Sequence, residues 1–155
     1  MRQPSLISVI FATGFGSGYW PWGPGTAGAL LATAMWWATG LFVSPATLII
    51  ITAVAIVVFT IIGIRATDAV EPFWGPDPHK IVIDEMVGVW IPLLAAYDDW
   101  RLAVAAFLLF RLFDIVKPLG IRSLDKKEGG LWVMADDILA GIYSLIIICA
   151  LRWVI

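Results

Sequence analysis

Apolar residues gather into five runs, at 26–43, 46–64, 81–97, 102–116 and 138–155, each 15 to 19 residues long. Most polar residues fall in the short stretches between them rather than along one face of each run. That pattern predicts helices surrounded by lipid, not amphipathic helices on a water-exposed core. At 1.5 Å per residue a 17-residue helix covers about 25 Å of a hydrocarbon layer roughly 30 Å thick, so the third and fourth runs are short. They are expected to form either two tight crossings or a re-entrant hairpin, and both return the chain to the same side by Lys117. The predicted fold is an all-α, polytopic integral membrane helical bundle with about five membrane segments, in a single domain over residues 1–155. A further run, 6–12, follows Met1-Arg2; it is at the short limit for a leader sequence and is expected to stay with the chain.

Composition strengthens this picture. The 155 residues are 61% hydrophobic and 14% charged, with nine Trp and eight Phe, and the mean hydropathy is +0.92, far from soluble averages. The net charge of −2 hides a local asymmetry, since most polar residues fall in three loops, and says little about partners; no nucleic-acid partner is expected. The single cysteine, Cys149, excludes an intramolecular disulfide and a cysteine-based metal site. Oligomeric state is not legible.

Charge along the chain predicts orientation. Arg2, Arg65, Lys80, Arg111, Lys117, Arg122, Lys126 and Lys127 fall on one side of the predicted segments, whereas Arg101 and Arg152 fall on the other. The larger set should be cytoplasmic, with the N-terminus inside and the turns near Ser44-Pro45 and Asp98-Asp99 outside. Trp20, Trp22, Trp74, Trp100 and Trp132 lie beside predicted boundaries, as interfacial anchors do. Trp36, Trp37 and Trp90 are more internal and are expected to pack.

Five carboxylates then stand out at segment edges: Asp84-Glu85, Asp114 and Asp136-Asp137. A charge at membrane depth costs roughly 2.5–3.5 kcal/mol on insertion scales, so several together require a partner. Asp84-Glu85 and Asp136-Asp137 each open a predicted helix from the cytoplasmic side, where two helix starts can share a cation. Oxygen donors with water left over suit Mg²⁺, with Mn²⁺ as the alternative. The plainer reading is that acids complement helix dipoles, an effect of a few tenths to about 1 kcal/mol each. The motifs IDEMVG and ADDILAG also echo one another: Asp84 and Gly88, like Asp137 and Gly141, are four apart, so each acid shares a face with a residue that lets a neighbouring helix close in.

Around these acids, Arg111, Asp114 and Lys117 are three apart and share a stripe near a helix end. Arg111 and Asp114 can pair with each other, or Arg111 and Lys117 can clamp a phosphate. The loop GFGSG through PGTAG precedes the first long run, and its glycines suit a backbone anion cradle with Ser17, Gly25 and Thr26 as contacts and Thr26 as helix cap. No Lys follows, so it is not a nucleotide-type phosphate loop. The stretch 68–80 reads as a polar loop holding Asp68, a weaker ligand candidate, and His79, whose plainer reading is a solvated interfacial side chain.

In order, GFGSG with PGTAGAL, IVIDEMVGVW, FRLFDIVKP and MADDILAG resemble the bacterial phosphatidylglycerophosphatase A family over roughly residues 12–141. The resemblance implies a Mg²⁺-dependent, multi-pass enzyme of the bacterial inner membrane, with a phospholipid substrate, that converts phosphatidylglycerophosphate to phosphatidylglycerol and phosphate. The family's acidic motifs match Asp84, Glu85, Asp114, Asp136 and Asp137; His79 is not carried over.

The residues admit a mechanism of metal-assisted phosphomonoester hydrolysis. Asp84 and Asp137 are the first ligands, Glu85 is the candidate base with Asp84 and Asp136 beside it, and Arg111 and Lys117 neutralise the phosphate. Activity should fall at acidic pH as the ligands protonate. Cys149 lacks a CxxxxxR signature and no DxDxT is present, which argues against covalent phosphatase routes. Intramembrane acids also mark ion or proton pathways, so a small coupled transporter is the alternative. The DGxxAR pattern of CDP-alcohol phosphotransferases is absent.

Overall fold

The computed structural model describes residues 3–155 and contains helices but no strand among them. Helix α1, Leu6–Ala12, begins where the Ser5 side chain accepts the Ser8 N–H. It packs on α3, and the Ala12 carbonyl accepts the Val82 N–H at 2.9 Å. The run 6–12 thus packs against the other helices. Arg2, part of the charge argument, lies outside the described residues.

A loop with a single 3-10 turn, Ser17–Tyr19, leads to α2, Pro24–Gly40. Gly18 faces the Lys80 carbonyl so closely that a β-carbon there would overlap it, which fixes this loop against the chain entering α4. Helix α3, Pro45–Trp74, is capped by Ser44 and runs ten residues beyond position 64. The expected polar loop from 68 is therefore partly helix. Ala66, Thr67 and Val70 remain buried, so packing carries α3 past Arg65, Asp68 and Glu71 until Gly75, at φ 84°, ends it. At about 45 Å, α3 is, among the described residues, one of two helices long and apolar enough to cross a membrane. Its Ile50, Val54, Val57 and Ile61 stand exposed.

The other is α7, Gly130–Val154, about 37 Å long. It starts eight residues before the expected position 138. No local side chain caps it, but Asp68 of α3 accepts the Gly130 N–H at 2.7 Å, so a neighbouring helix supplies the missing acceptor. Asp136 and Asp137 consequently sit about two turns inside α7 rather than opening it.

Between these lies α4, Ile83–Leu93, only eleven residues and about 16 Å long, with all but Glu85 buried. It touches α2, α3, α5 and α7. Helix α5, Trp100–Val116, is capped by Asp99 and ends at Lys117, a non-glycine residue in the left-handed region at φ 52°. A short α6, Ile121–Asp125, returns the chain to α7. The third apolar run is therefore the protein's own core, not a lipid-facing span.

The echo between IDEMVG and ADDILAG proves to be a contact. A β-carbon on Gly141 would stand 2.5 Å from the Gly88 carbonyl oxygen, and one on Gly88 would meet the Asp137 carbonyl at 2.9 Å and overlap the Phe110 ring. The two acid-plus-glycine helices pack face to face at their glycines, with Phe110 sealing the crossing.

Trp20, Trp22 and Trp100 are exposed as expected. Trp74 and Trp132 carry the Lys80 and Lys127 ammonium groups over their rings at 3.7 and 3.8 Å. Trp36 and Trp90 are buried, and the Trp90 indole donates to the Ala32 carbonyl at 2.9 Å. Trp37 departs from expectation: it stands half exposed, because Trp36 takes the inward face. Cys149 is exposed on α7, outside the core.

Candidate active site

All five acids converge at one end of the bundle. Asp84, Asp136 and Asp137 each place an oxygen within 4.8 Å of the others, and so do Glu85, Asp114 and Asp137. Asp137 is common to both groups, because the close α4–α7 crossing sets it against Asp84 on one side while α5 brings Asp114 to the other.

Hydrogen bonding divides the five into two kinds. Arg111 donates to Asp114 Oδ2. Lys117 Nζ donates to Asp136 Oδ2 at 2.7 Å and to Asp125 Oδ1 at 2.9 Å, and lies 3.8 Å from Asp114 Oδ1. Asp136 Oδ1 accepts the Asp137 N–H at 3.0 Å. Asp114 and Asp136 therefore already hold cations. By contrast, Asp84 Oδ1, Glu85 Oε2 and Asp137 Oδ2 are buried without any partner. Leaving anionic oxygens so is costly unless something positive fills the gap. Asp137 shares one close group with Asp84 and another with Glu85, and these unpartnered oxygens are hard donors that could hold a divalent cation such as Mg²⁺ or Mn²⁺.

Lys117 reaches three acids because its left-handed backbone turns the chain out of α5 toward α6. Burial disfavours its charge, but the hydrogen bonds to Asp136 and Asp125 outweigh this and hold the ammonium above its ordinary range. Both readings of the Arg111 stripe meet here. Arg111 pairs with Asp114, and its Nη1 also comes within 3.2 Å of where a β-carbon on Gly25 would sit. Glu85 Oε1 crowds that same point. Gly25 is thus the contact between the glycine-rich loop and the acids. Glu85 is the only α4 residue partly open to solvent.

The loop candidates separate. Gly25 joins the site. Thr26 does not cap α2, because Pro24 opens the helix two residues earlier and leaves Thr26 inside its first turn. No side chain caps α2, so its first-turn N–H groups stay open beside Arg111. Ser17 is turned away from this role: its hydroxyl donates to the Gly14 carbonyl at 2.8 Å within its own loop. Asp68, a weaker ligand candidate, is occupied in docking α7. His79 is exposed in the loop before α4. Asp125, paired with Lys117, carries no signal in the sequence; it lies beyond Pro118 and a chain reversal, so no helical spacing links the two.

At the opposite end, Arg152 donates to Asp98 and, at 3.0 Å, to the Ala95 carbonyl. That clasp ties the end of α7 to the turn between α4 and α5. The basic residues expected on opposite sides therefore do lie at opposite ends, Lys80 and Lys117 with the acids, Arg101 and Arg152 away from them.

The chain is similar to known proteins over most of its length. A protein of Bacteroides thetaiotaomicron named "Putative phosphatidylinositol-3-phosphatase" is 52% identical over 158 residues, covering 100% of this chain and 99% of its own. Phosphatidylglycerophosphatase A of Haemophilus influenzae is 37% identical, covering 99% of this chain and 94% of that protein. Its Escherichia coli namesake is also 37% identical, over 87% and 77%. No solved structure matches. The family model described as phosphatidylglycerophosphatase A matches residues 10–152, and on that match and these relatives the chain belongs to the phosphatidylglycerophosphatase A family and is a phosphatase.

Proposed function

We propose that the protein hydrolyses the terminal phosphomonoester of phosphatidylglycerophosphate, releasing phosphatidylglycerol and phosphate, with a divalent cation at the cytoplasmic face of the bacterial inner membrane. The observation that carries this reading is the set of unpartnered buried oxygens on Asp84, Glu85 and Asp137 beside Arg111 and the uncapped start of α2. An anionic phosphate and a cation together would satisfy both.

Asp84 and Asp137 would hold Mg²⁺, with Mn²⁺ as the alternative, and Asp114 and Asp136 complete the acidic set. The ion's chemistry, when bound, is to polarise a phosphoryl oxygen and lower the pKa of water. Glu85, partly open at the rim, takes the proton of the attacking water and passes it to solvent. Arg111 and the N–H groups of Gly25 and Thr26 bind phosphate oxygens. Lys117 balances Asp136 and Asp125 so that the acids can stay together. For placement, α3 and α7 cross the bilayer, α2 and α5 are shorter crossings, α4 is shielded among them, and the end rich in Lys faces the cytoplasm.

The 52% identical relative favours a second substrate reading, phosphatidylinositol 3-phosphate. Phosphate release by the purified protein, with Mg²⁺ or with chelator, decides among phosphatidylglycerophosphate, phosphatidylinositol 3-phosphate, phosphatidic acid and a soluble phosphomonoester. Preference for the first, abolished by chelator, is expected. Preference for the second moves the assignment to the inositol lipid, and equal rates on all four overturn lipid specificity. Ion flux into proteoliposomes without phosphate release would return the transporter reading.

A further inference from the structure

The two helices that bring Gly25 and Arg111 together do not stay in contact along their length. Beyond the site they part to form an apolar groove that encloses about 470 Å³, walled by Leu30, Thr33 and Trp37 of α2 and by Trp100, Val104 and Phe107 of α5. Because Gly25 meets Arg111 while Trp37 and Trp100 line the same groove, α2 and α5 run antiparallel here. Leu30 is five residues beyond Gly25 and Phe107 four before Arg111, so the groove opens about 6–7.5 Å from the phosphate contacts. It continues about 10 Å to Trp37.

Its walls offer almost nothing to a polar guest. No charged residue lines it, and the Thr33 hydroxyl is spent on the Ala29 carbonyl at 2.8 Å. Leu30, Val104 and Trp37 are each about half exposed, so apolar surface stands open on both walls. A concave apolar slot of this size is in the range that binds ligands, unlike the convex exposed face of α3. Its register with the site selects the occupant: a molecule with a phosphomonoester at one end, a polar spacer, and a hydrocarbon chain at the other.

We infer that the groove between α2 and α5 is an acyl-chain subsite, through which the lipid substrate enters sideways from the bilayer with its phosphate toward Arg111 and one chain along Leu30, Val104 and Phe107. This rests on the phosphatase reading above. Burying the upper part of one chain would fix the depth of the phosphate and make chain length a determinant of KM.

Leu30→Trp and Val104→Trp fill the groove without touching the acids. On dioleoyl phosphatidylglycerophosphate each should raise KM tenfold or more with kcat within twofold. On the dihexanoyl substrate, too short to fill the groove, both constants should stay within twofold of the parent. Equal effects on both substrates, or none on either, overturn the subsite. A second measurement does not require turnover: phosphatidylglycerophosphate carrying a diazirine in one acyl chain should label peptides of α2 and α5 at least threefold more than a diazirine phosphatidylcholine. Equal labelling means bulk bilayer lipid and overturns the proposal. Cross-linking between Val104→Cys copies in a Cys149→Ser background would assign the groove to a dimer contact and overturn it too. Loss of hydrolysis on both chain lengths in the unmodified protein, with selective labelling intact, would instead fault the hydrolytic reading alone.

Discussion

The crossing of α4 and α7 makes the Gly141→Ala substitution a test of how the site is held. The added β-carbon would stand 2.5 Å from the Gly88 carbonyl oxygen, 3.0 Å from Ile91 Cδ1 and 3.1 Å from Ile91 Cβ. The Ile91 side chain can rotate, but the carbonyl belongs to helix backbone. To reach the 3.4 Å at which ordinary contact begins, α4 and α7 must part by about 0.9 Å. Overpacking of this kind costs about 1–3 kcal/mol. Asp84 and Asp137 lie one turn from the two glycines, so the separation passes to the carboxylates. A shift near 1 Å at a positioned site costs roughly a hundredfold in rate. Phosphate release and thermal unfolding in detergent, measured on the same preparation, should show a large loss of kcat with a modest fall in Tm. A Gly63→Ala control meets only the flexible Met134 and Ile83 side chains and should lose much less activity. Parent-like turnover in Gly141→Ala would refute the claim that the glycine contact sets the distance between the acids.

Asp84→Asn and Asp137→Asn should each reduce phosphate release by roughly a hundredfold or more while the protein still inserts and purifies normally; near-normal rates would remove them from the ligand set. Gly25→Ala should push Glu85 and Arg111 aside, lowering kcat with little change in Tm, since both obstacles are side-chain ends. Lys117→Met strands Asp136 and Asp125, and should lower stability by about 1.5–3 kcal/mol, as for hydrogen bonds to charged groups, whereas Lys117→Arg should recover part of it. Hydrogen bonds from Arg152 hold the Asp98 carboxyl below its ordinary range. The clasp therefore contributes fully above the usual carboxylate pKa of about 3.9 and fades as pH falls through the folded value. Asp98→Asn should lower Tm slightly at pH 7, within the roughly 0–1 kcal/mol typical of exposed pairs, and the difference should shrink as pH falls below the ordinary carboxylate range.

The residues that gather at one end of the bundle are the most legible features of the amino-acid sequence. The acids, Arg111, Lys117 and Gly25 stand out as charges and glycines out of place in apolar surroundings, and Gly88 and Gly141 by their spacing. Helix limits are less legible because the deciding partners are distant. Asp68 caps α7 from another helix, and Val70 and Thr67 carry α3 onward by packing that no local pattern reveals. Thr26 and Ser17 show the same limit at a loop: Pro24 moves the helix start, and Gly14 takes the serine's hydroxyl. The division between paired and unpaired acids depends on Lys117, whose reach follows from one left-handed residue.

The burial of α4 bears on how the protein is made. Eleven residues that begin with two acids are a poor substrate for insertion on their own, and the surface α4 needs most belongs to α7, which is synthesised well after it. During translation α4 must wait beside α2 and α3 until α7 emerges and closes over it. Assembly of the acidic site is thereby coupled to the arrival of α7, and a product truncated before α7 would leave an unfinished acidic helix open to proteolysis.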